Sequence, residues 1–311
     1  MSVAKTVFAS NSEKTNYYKL KRTWGEKYNI YHNLPFLNVL SPKGIRDISQ
    51  GLDVRPKGFT QEEFNLLKKT SIDYTICNLK DEPLFCIEFD GMQQGFNKGT
   101  EYISDDRILH PSNWRKKITE LKLRVAMSNF FPFIVVGATY FKAISNSTKL
   151  TIVDGLIGNL LATMDVKKKN RNFSVEQLGL TNDEFQSLSE EEKDYIIKDW
   201  MISIEIESQF KNNPLANRRA DLERICQGLW SGYSILSLVN PSFEPGDIKD
   251  LQSVKLHGLR IVYHTNDLGP ISGDAWIPNF NMPYVSGFTI LEDIAAICAL
   301  EKMIELRKTD K

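Results

Sequence analysis

Long apolar stretches are missing from this sequence of 311 residues. The longest, residues 130–138, has the length of a strand and falls well short of the roughly 18 residues that a membrane-spanning helix needs. Residues 1–11 also lack the apolar core of a signal peptide. We therefore expect a cytoplasmic protein with no membrane partner.

Cysteine and histidine are scarce, with four residues of each type. The cysteines stand singly in apolar segments, and no Cys-x-x-Cys pair indicates zinc or redox chemistry. The histidines show no metal-ligand spacing. We expect buried thiols and histidines with core or surface roles.

An overall net charge is absent, because 39 Lys and Arg balance 39 Asp and Glu. The charges are nevertheless uneven: residues 1–150 hold 22 basic and 15 acidic residues, a difference of +7, which leaves 17 and 24, or −7, for residues 151–311. A basic half suits a polyanionic partner such as nucleic acid. Chance variation in surface composition is the alternative explanation.

The first half has the patterns of a compact α/β unit. Thr60 and Glu63 resemble a capping box, and Ser12 is the predicted N-cap of the first helix. A polar, Gly-rich loop is predicted for residues 91–111. The predicted order is helix 13–24, strand 28–40 interrupted at Pro35, helix 62–69, strands 71–78 and 83–91, helix 112–129 and buried strand 132–137.

The second half is predicted to be mainly helical, after a boundary at the polar residues 145–148. Residues 254–264 alternate like a strand, and residues 268–285 should be irregular because they contain three prolines among Gly and Asn. We expect one domain at 1–146 and a regulatory, oligomerisation or partner-binding region at 147–311. The predicted helices of this region are 151–164, 189–210, 220–239 and 291–308.

Acidic residues interrupt two short apolar strands of the first half. Glu88 and Asp90 project to one side of their strand, because side chains alternate between the faces. If the two strands pair as a hairpin across residues 79–82, Asp73 joins them. Clustered carboxylates raise each other's pKa unless a cation neutralises them, and oxygen ligands favour Mg²⁺ or Mn²⁺. The pattern predicts a metal site.

The order of these residues resembles the PD-(D/E)XK nuclease superfamily, with its restriction-endonuclease-like fold, over roughly residues 13–137. In that family a lysine two residues after the metal-binding Glu orients or activates the attacking water. Asp90 stands at that position here, so the chain looks like the E-x-D-G-x-x-H branch related to very-short-patch-repair-type nucleases. In that branch the lysine function can move to the next helix, and Lys122 matches this relocation. Gln94 stands where the branch often has histidine.

The resemblance implies roles for particular residues. Asp73, Glu88 and the backbone carbonyl of Phe89 would bind the metal ion, and Lys122 would polarise the water or hold the phosphate. The predicted catalytic residues are Asp73, Glu88, Asp90, Lys122 and Glu13. The predicted contacts to the DNA backbone are Lys116, Lys117 and Arg124.

Simpler structural roles compete with these assignments. Asp90 followed by Gly91 is a common turn signal. Asp73 can cap the end of a strand, and Glu13 suits the start of a helix because of the helix dipole. Lys122 can be a solvated lysine on a basic helix.

The expected fold is α/β, with a restriction-endonuclease-like mixed sheet flanked by helices and followed by a mainly helical C-terminal region. The expected function is Mg²⁺-dependent endonuclease activity on double-stranded DNA, in restriction, repair or anti-phage defence. The C-terminal region is a candidate for homo-oligomer or partner contacts. Two alternatives are a catalytically inactive nuclease fold used for binding or assembly, and a non-nuclease protein whose basic and acidic halves pair.

Overall fold

The computed structural model describes residue 8 and residues 10–40, 59–90, 96–97, 101–102, 112–238, 256–278 and 287–309. Over this part the protein is α/β, with a mixed four-stranded sheet, a second sheet of three strands and a helical C-terminal region. The chain forms two compact units, and their main division falls between Lys142 and Ala143, although Leu256 and Pro278 are also grouped with the first unit.

The first unit is built around the four-stranded sheet. Its helices are α1 (Asn11–Trp24), α2 (Phe36–Val39), α3 (Gln61–Leu67) and α4 (Ser112–Ser128), followed by a 3-10 turn at Ala138–Phe141. Its strands are β1 (Asn29–Pro35), β2 (Ser71–Cys77), β3 (Pro83–Asp90), the short pair β4 (Phe96–Asn97) and β5 (Glu101–Tyr102), and β6 (Phe133–Gly137). The sheet order is β1-β2-β3-β6, antiparallel up to β3 and parallel between β3 and β6.

The predicted hairpin between the acidic strands is confirmed. Its turn is organised by Asn78, whose side-chain oxygen accepts hydrogen bonds from the backbone N–H groups of Lys80 and Glu82 at 2.9 and 3.0 Å. Asp81 has a φ of 62°. Asx side chains stabilise such turns because they replace a backbone acceptor and tolerate the left-handed region. The hairpin fixes the register of β2 against β3.

Helix α4 covers one face of this sheet. Leu121 and Val125 of the helix share a core with Cys86 of β3 and Val135 of β6. Side chains two residues apart in a strand share a face, so Glu88 projects to the side that carries Cys86. The sequence therefore places a carboxylate beneath a helix that is anchored by apolar contacts.

The beginning of the chain differs from the prediction in two places. The N-cap of α1 is Ser10, whose hydroxyl accepts a hydrogen bond from the N–H of Glu13 at 3.1 Å, so the assignment of Ser12 was wrong. The predicted strand 28–40 ends at Pro35, where the short helix α2 begins. Proline lacks the N–H that would continue a ladder, and its fixed φ suits the start of a helix.

The second unit combines helices with the three-stranded sheet. Its helices are α5 (Ile152–Arg171), α6 (Asn182–Ser187), α7 (Glu190–Asn212), α8 (Pro214–Ile225) and α9 (Gly287–Thr309), with a 3-10 turn at Val175–Leu178. Its strands are β7 (Trp230–Leu238), β8 (Leu256–Thr265) and β9 (Pro270–Pro278), in the order β7-β8-β9. Helix α5 packs closely at Gly158, where a Cβ would lie 2.7 Å from the Cα of Asn213.

Two predictions for this unit were wrong. The helix predicted at 220–239 ends at Ile225, and Trp230–Leu238 is a strand. Gly228 between them has a φ of 79°, a left-handed conformation that ends the helix. The segment 268–285, predicted to be irregular, contains strand β9, whose prolines stand at its two ends, where a strand tolerates them.

The four cysteines are free thiols, and three of them are buried. Cys77, Cys86 and Cys226 are buried, and Cys298 is partly buried; all four are unpaired. In the part of the chain that the structure describes, no helix combines the length and apolarity needed to cross a membrane. Most of the predicted loop 91–111, including Gln94, lies outside the described residues.

Candidate active site: a buried carboxylate pair and its lysine

The hairpin register brings Asp73 and Glu88 next to each other. Tyr74 of β2 pairs with Ile87 of β3, so Asp73 and Glu88 occupy the next position of each strand. The backbone N–H of Phe89 donates a hydrogen bond to Asp73 Oδ2 at 2.8 Å. Because both side chains project to the face that carries Cys86, the two carboxyls lie beneath α4.

Lys122 reaches this carboxylate pair from α4. Its side chain is only 4% exposed, and its Nζ donates to Glu88 Oε1 at 2.5 Å and to the backbone carbonyl of Ser71 at 2.7 Å. A buried ammonium needs such partners because desolvation of an unpaired charge costs several kcal/mol. One lysine therefore links α4 to both acidic strands.

Burial shapes the electrostatics of the pair. Burial and, next, the neighbouring charge of Glu88 raise the pKa of Asp73 to about 8, although Lys122 and the N–H of Phe89 act in the opposite direction. The second oxygen of Glu88, Oε2, is buried and has no hydrogen-bond partner among the described residues. An unsatisfied buried oxygen is costly, so this position favours a ligand that brings positive charge.

Glu13 contacts residues that project to the other face of the sheet. Its Oε2 is 3.7 Å from Nε2 of His32, and its backbone carbonyl accepts a hydrogen bond from the Tyr74 hydroxyl at 3.0 Å. His32 pairs with Tyr74 across β1 and β2, so both project to the face opposite Asp73. Glu13 affects Asp73 only as a weak neighbouring charge.

His32 is a residue that the sequence prediction did not single out. Its side chain is 7% exposed, and its Nε2 is buried without a hydrogen-bond partner in the described part of the chain. Burial lowers the pKa of His32, although Glu13 raises it. The sequence signal that could have identified His32 is its place between Ile30 and Leu34, because this alternation puts a polar ring on an apolar face of β1.

Phe89 and Asp90, the last two residues of β3, are the remaining predicted site residues of this strand. Phe89 packs its ring against Phe141 at a centroid distance of 5.7 Å. Asp90 pairs with Gly137 through the backbone, and its side chain lies outside the described residues. The structure therefore brings Asp73, Glu88 and Lys122 together, whereas the contacts of the Glu13 side chain are with His32.

The basic residues of α4 contact acids of α3. Lys117 Nζ is 3.4 Å from Glu62, and Arg124 donates to Glu63 at 2.7 Å while its guanidinium lies 4.5 Å from the ring of Phe59. Lys117 and Arg124 also line a surface groove of about 550 Å³. The side chain of Lys116 is not among those described. Two of the predicted DNA contacts are thus already paired with carboxylates.

Asp73 and Glu88 are the residues that could hold a divalent cation at this site. Within the described residues, no group of three or more His, Cys, Asp and Glu side chains is arranged to hold a metal ion. Magnesium commonly uses only one or two carboxylates and keeps several water molecules. Asp73 and the unpartnered oxygen of Glu88 supply that number of donors.

Comparisons with known proteins do not add a family. No protein-family model, no curated protein and no solved structure matches this chain.

Proposed function

We propose that the protein is a divalent-metal-dependent endonuclease that hydrolyses DNA, with Asp73 and Glu88 as the metal ligands. The observation that carries the proposal is the buried Lys122 ammonium 2.5 Å from Glu88, next to Asp73 on the paired strand. Two carboxylates and one lysine at a strand end are the groups that PD-(D/E)XK nucleases use. The proposed setting is cytoplasmic restriction, repair or anti-phage defence.

Each residue contributes a separate part of phosphodiester hydrolysis. Asp73 and Glu88 would hold a Mg²⁺ or Mn²⁺ ion, whose charge would favour the ionised form of Asp73, and the ion would supply a Lewis acid for the phosphate and a more acidic water. Lys122 places a positive charge within the same buried space, where it orients water or stabilises the charge that develops on the phosphate. Low exposure strengthens all these interactions because water screens them less.

The proposed reaction uses Asp73, Glu88 and Lys122. It assigns no step to Glu13, to Asp90 or to the carbonyl of Phe89. Glu13 is engaged with His32 on the other face of the sheet. Lys117 and Arg124 contact DNA in this proposal only if the phosphates displace Glu62 and Glu63, which makes binding sensitive to salt. The proposed substrate is double-stranded DNA.

A second candidate function is a catalytically inactive nuclease fold that binds or assembles. The closed ion pair between Lys122 and Glu88 favours this alternative, because it neutralises one carboxylate without any metal. The pairing of Lys117 and Arg124 with acids of α3 also leaves less free positive charge for DNA. The two candidates differ in metal binding and in turnover.

Cleavage assays distinguish these functions. Purified protein is incubated with supercoiled plasmid and with short single- and double-stranded DNA and RNA, in Mg²⁺, Mn²⁺ or EDTA. We expect metal-dependent cleavage of double-stranded DNA that Glu88→Gln reduces at least ~100-fold, since loss of one strong electrostatic contact in a reaction site costs about 2.7–4 kcal/mol. Mn²⁺ titration calorimetry of the same variants reports metal binding separately.

The control is Glu82→Gln, which changes an exposed acid in the turn of the same hairpin. It should retain the cleavage rate of the wild-type protein. Equal rates for Glu88→Gln and Glu82→Gln, or no cleavage with any metal, would contradict the nuclease proposal. Mn²⁺ binding without cleavage would favour the inactive fold.

A further inference from the structure

Helix α7 exposes a stripe of large apolar side chains. Tyr195 is 72% exposed, Ile202 57%, Ile206 52% and Phe210 46%. Steps of seven and four residues keep them close to one side of the helix, with Phe210 at its edge. This α7 stripe is apolar surface of the kind that marks an interface.

The other side of α7 is already occupied. Ile204 and Ser208 are buried, and the Ser208 hydroxyl donates to Asp165 of α5 at 2.9 Å. Trp200 packs its ring 4.7 Å from that of Phe173. The helix is therefore held in the unit by its inner face, and the stripe is not required for that packing.

Two opposite charges border the stripe along the same edge. Lys198 and Glu205 are seven residues apart, about two helical turns, and both are exposed. Neither forms an ion pair with another residue of the described chain. When a second α7 packs antiparallel on the stripe, its Lys198 and Glu205 follow one another in the opposite direction. Each lysine then faces the glutamate of the other copy.

We propose that the α7 stripe is the interface with a second copy of this chain, in which two α7 helices pack antiparallel about a two-fold axis near Ile202. Reversal about a point between Met201 and Ile202 brings Lys198 of each copy level with Glu205 of the other, and Tyr195 to within about 3 Å of Ile206 along the helix axis. The same patch serves both copies, as a closed two-fold dimer requires. The stripe extends from Tyr195 to Phe210, about 23 Å along the helix, and the exposed Asp199 lies between Tyr195 and Ile202.

The oligomeric state of the full chain tests the interface. Sedimentation equilibrium of the wild-type protein should give a dimer, and Ile202→Glu should raise the dimer dissociation constant at least ~30-fold, as loss of a central interface residue does. Ile225→Glu is the matched control, because Ile225 of α8 is 63% exposed but lies off the stripe. It should leave the dissociation constant unchanged, and circular dichroism should show that both variants fold.

Charge exchange tests the antiparallel arrangement. Lys198→Glu and Glu205→Lys each place like charges together twice and should weaken the dimer, whereas the double variant restores opposite charges and should recover most of the affinity. A monomer at every concentration, or a dimer that is insensitive to Ile202→Glu, would overturn the interface. Absence of recovery in the double variant would overturn the antiparallel pairing about Ile202. The proposal does not depend on DNA cleavage.

Discussion

The two units of the protein bury charged groups in different ways. In the second unit, Arg219 of α8 donates hydrogen bonds to Glu223, Glu292 and Asp293, at 3.0, 2.8 and 3.5 Å. Neutral donors complete the network: the Tyr263 hydroxyl donates to Glu223, and Asn213 donates to Asp293. Burial lowers the pKa of Arg219, but these carboxylates outweigh that effect and raise it.

In the first unit, the carboxylates of Asp73 and Glu88 have fewer hydrogen-bond donors. Lys122 donates to one oxygen of Glu88, and the other oxygen has no partner among the described residues. Asp73 receives one N–H, from Phe89, and its pKa is raised to about 8. A network with a donor for each carboxylate stabilises the fold by itself, whereas a cluster with an unpartnered oxygen is better suited to binding something.

Removal of Lys122 should have the largest effect on stability. Lys122→Met leaves Glu88 buried without its cation, and the free energy of unfolding should fall by about 4 kcal/mol at neutral pH, the range for breaking a buried ion pair. Urea unfolding followed by circular dichroism measures this loss. Lys117→Met removes a half-exposed lysine of the same helix and should change the free energy by less than about 0.5 kcal/mol. Similar losses in the two variants would mean that Lys122 is not an important counter-charge.

Removal of Arg219 should cost somewhat less. Arg219→Met should lower the free energy of unfolding by about 3 kcal/mol, because Tyr263 and Asn213 still donate to two of the carboxylates. Arg224→Met, at an exposed arginine of the same helix, is the control in the same urea measurement. A loss larger than that of Lys122→Met would reverse the comparison between the units.

The smallest expected effect is the pH dependence that Asp293 confers. Burial raises its pKa to about 6, against about 3.9 in an unfolded chain. Between these values the folded state binds more protons, so this carboxyl makes the free energy of unfolding fall as pH rises. The stability of Asp293→Asn relative to the wild-type protein should therefore increase by roughly 2 kcal/mol from pH 4 to pH 7.

Two further variants sharpen that measurement. For Asp73→Asn the relative stability should continue to rise up to about pH 8, because the pKa of Asp73 is higher. For Asp81→Asn the trend should be reversed and should lie mainly below about pH 4, since hydrogen bonds from Tyr31 and Asn29 lower the pKa of Asp81 below that of an unfolded chain. Parallel curves for all three variants would show that these carboxyls do not determine the pH dependence.

Local sequence signals were sufficient to predict the hairpin of the two acidic strands. Apolar alternation and the polar turn defined β2 and β3, and side-chain alternation then placed Asp73 and Glu88 on one face. The position of Lys122 followed from a resemblance, and the structure brings its Nζ to Glu88. Its second acceptor, the carbonyl of Ser71, could not be predicted because backbone acceptors carry no sequence signal.

The structures of the elements that were predicted wrongly depend on tertiary contacts, which the local sequence does not show. Gly273 weakened the strand pattern of β9, yet a Cβ there would collide with the backbone of α9 at Ala295 and Ala299. Glycine in that strand thus marks a close approach of two backbones. Strand β7 was mistaken for the end of a helix, because it is an edge strand with apolar residues exposed on both faces and has no clear alternation.

The parallel pairing of β3 with β6 affects the order in which the protein folds during synthesis. Glu88 lies beside Val135, so the strand that shields this carboxylate follows every predicted site residue along the chain. A ribosome-bound chain that ends at Ser128 contains Asp73, Glu88 and Lys122 but not β6. Pairing between distant strands closes a long loop and is intrinsically slow. We therefore expect the carboxylate pair to acquire its buried environment only after Phe133–Gly137 has left the ribosome.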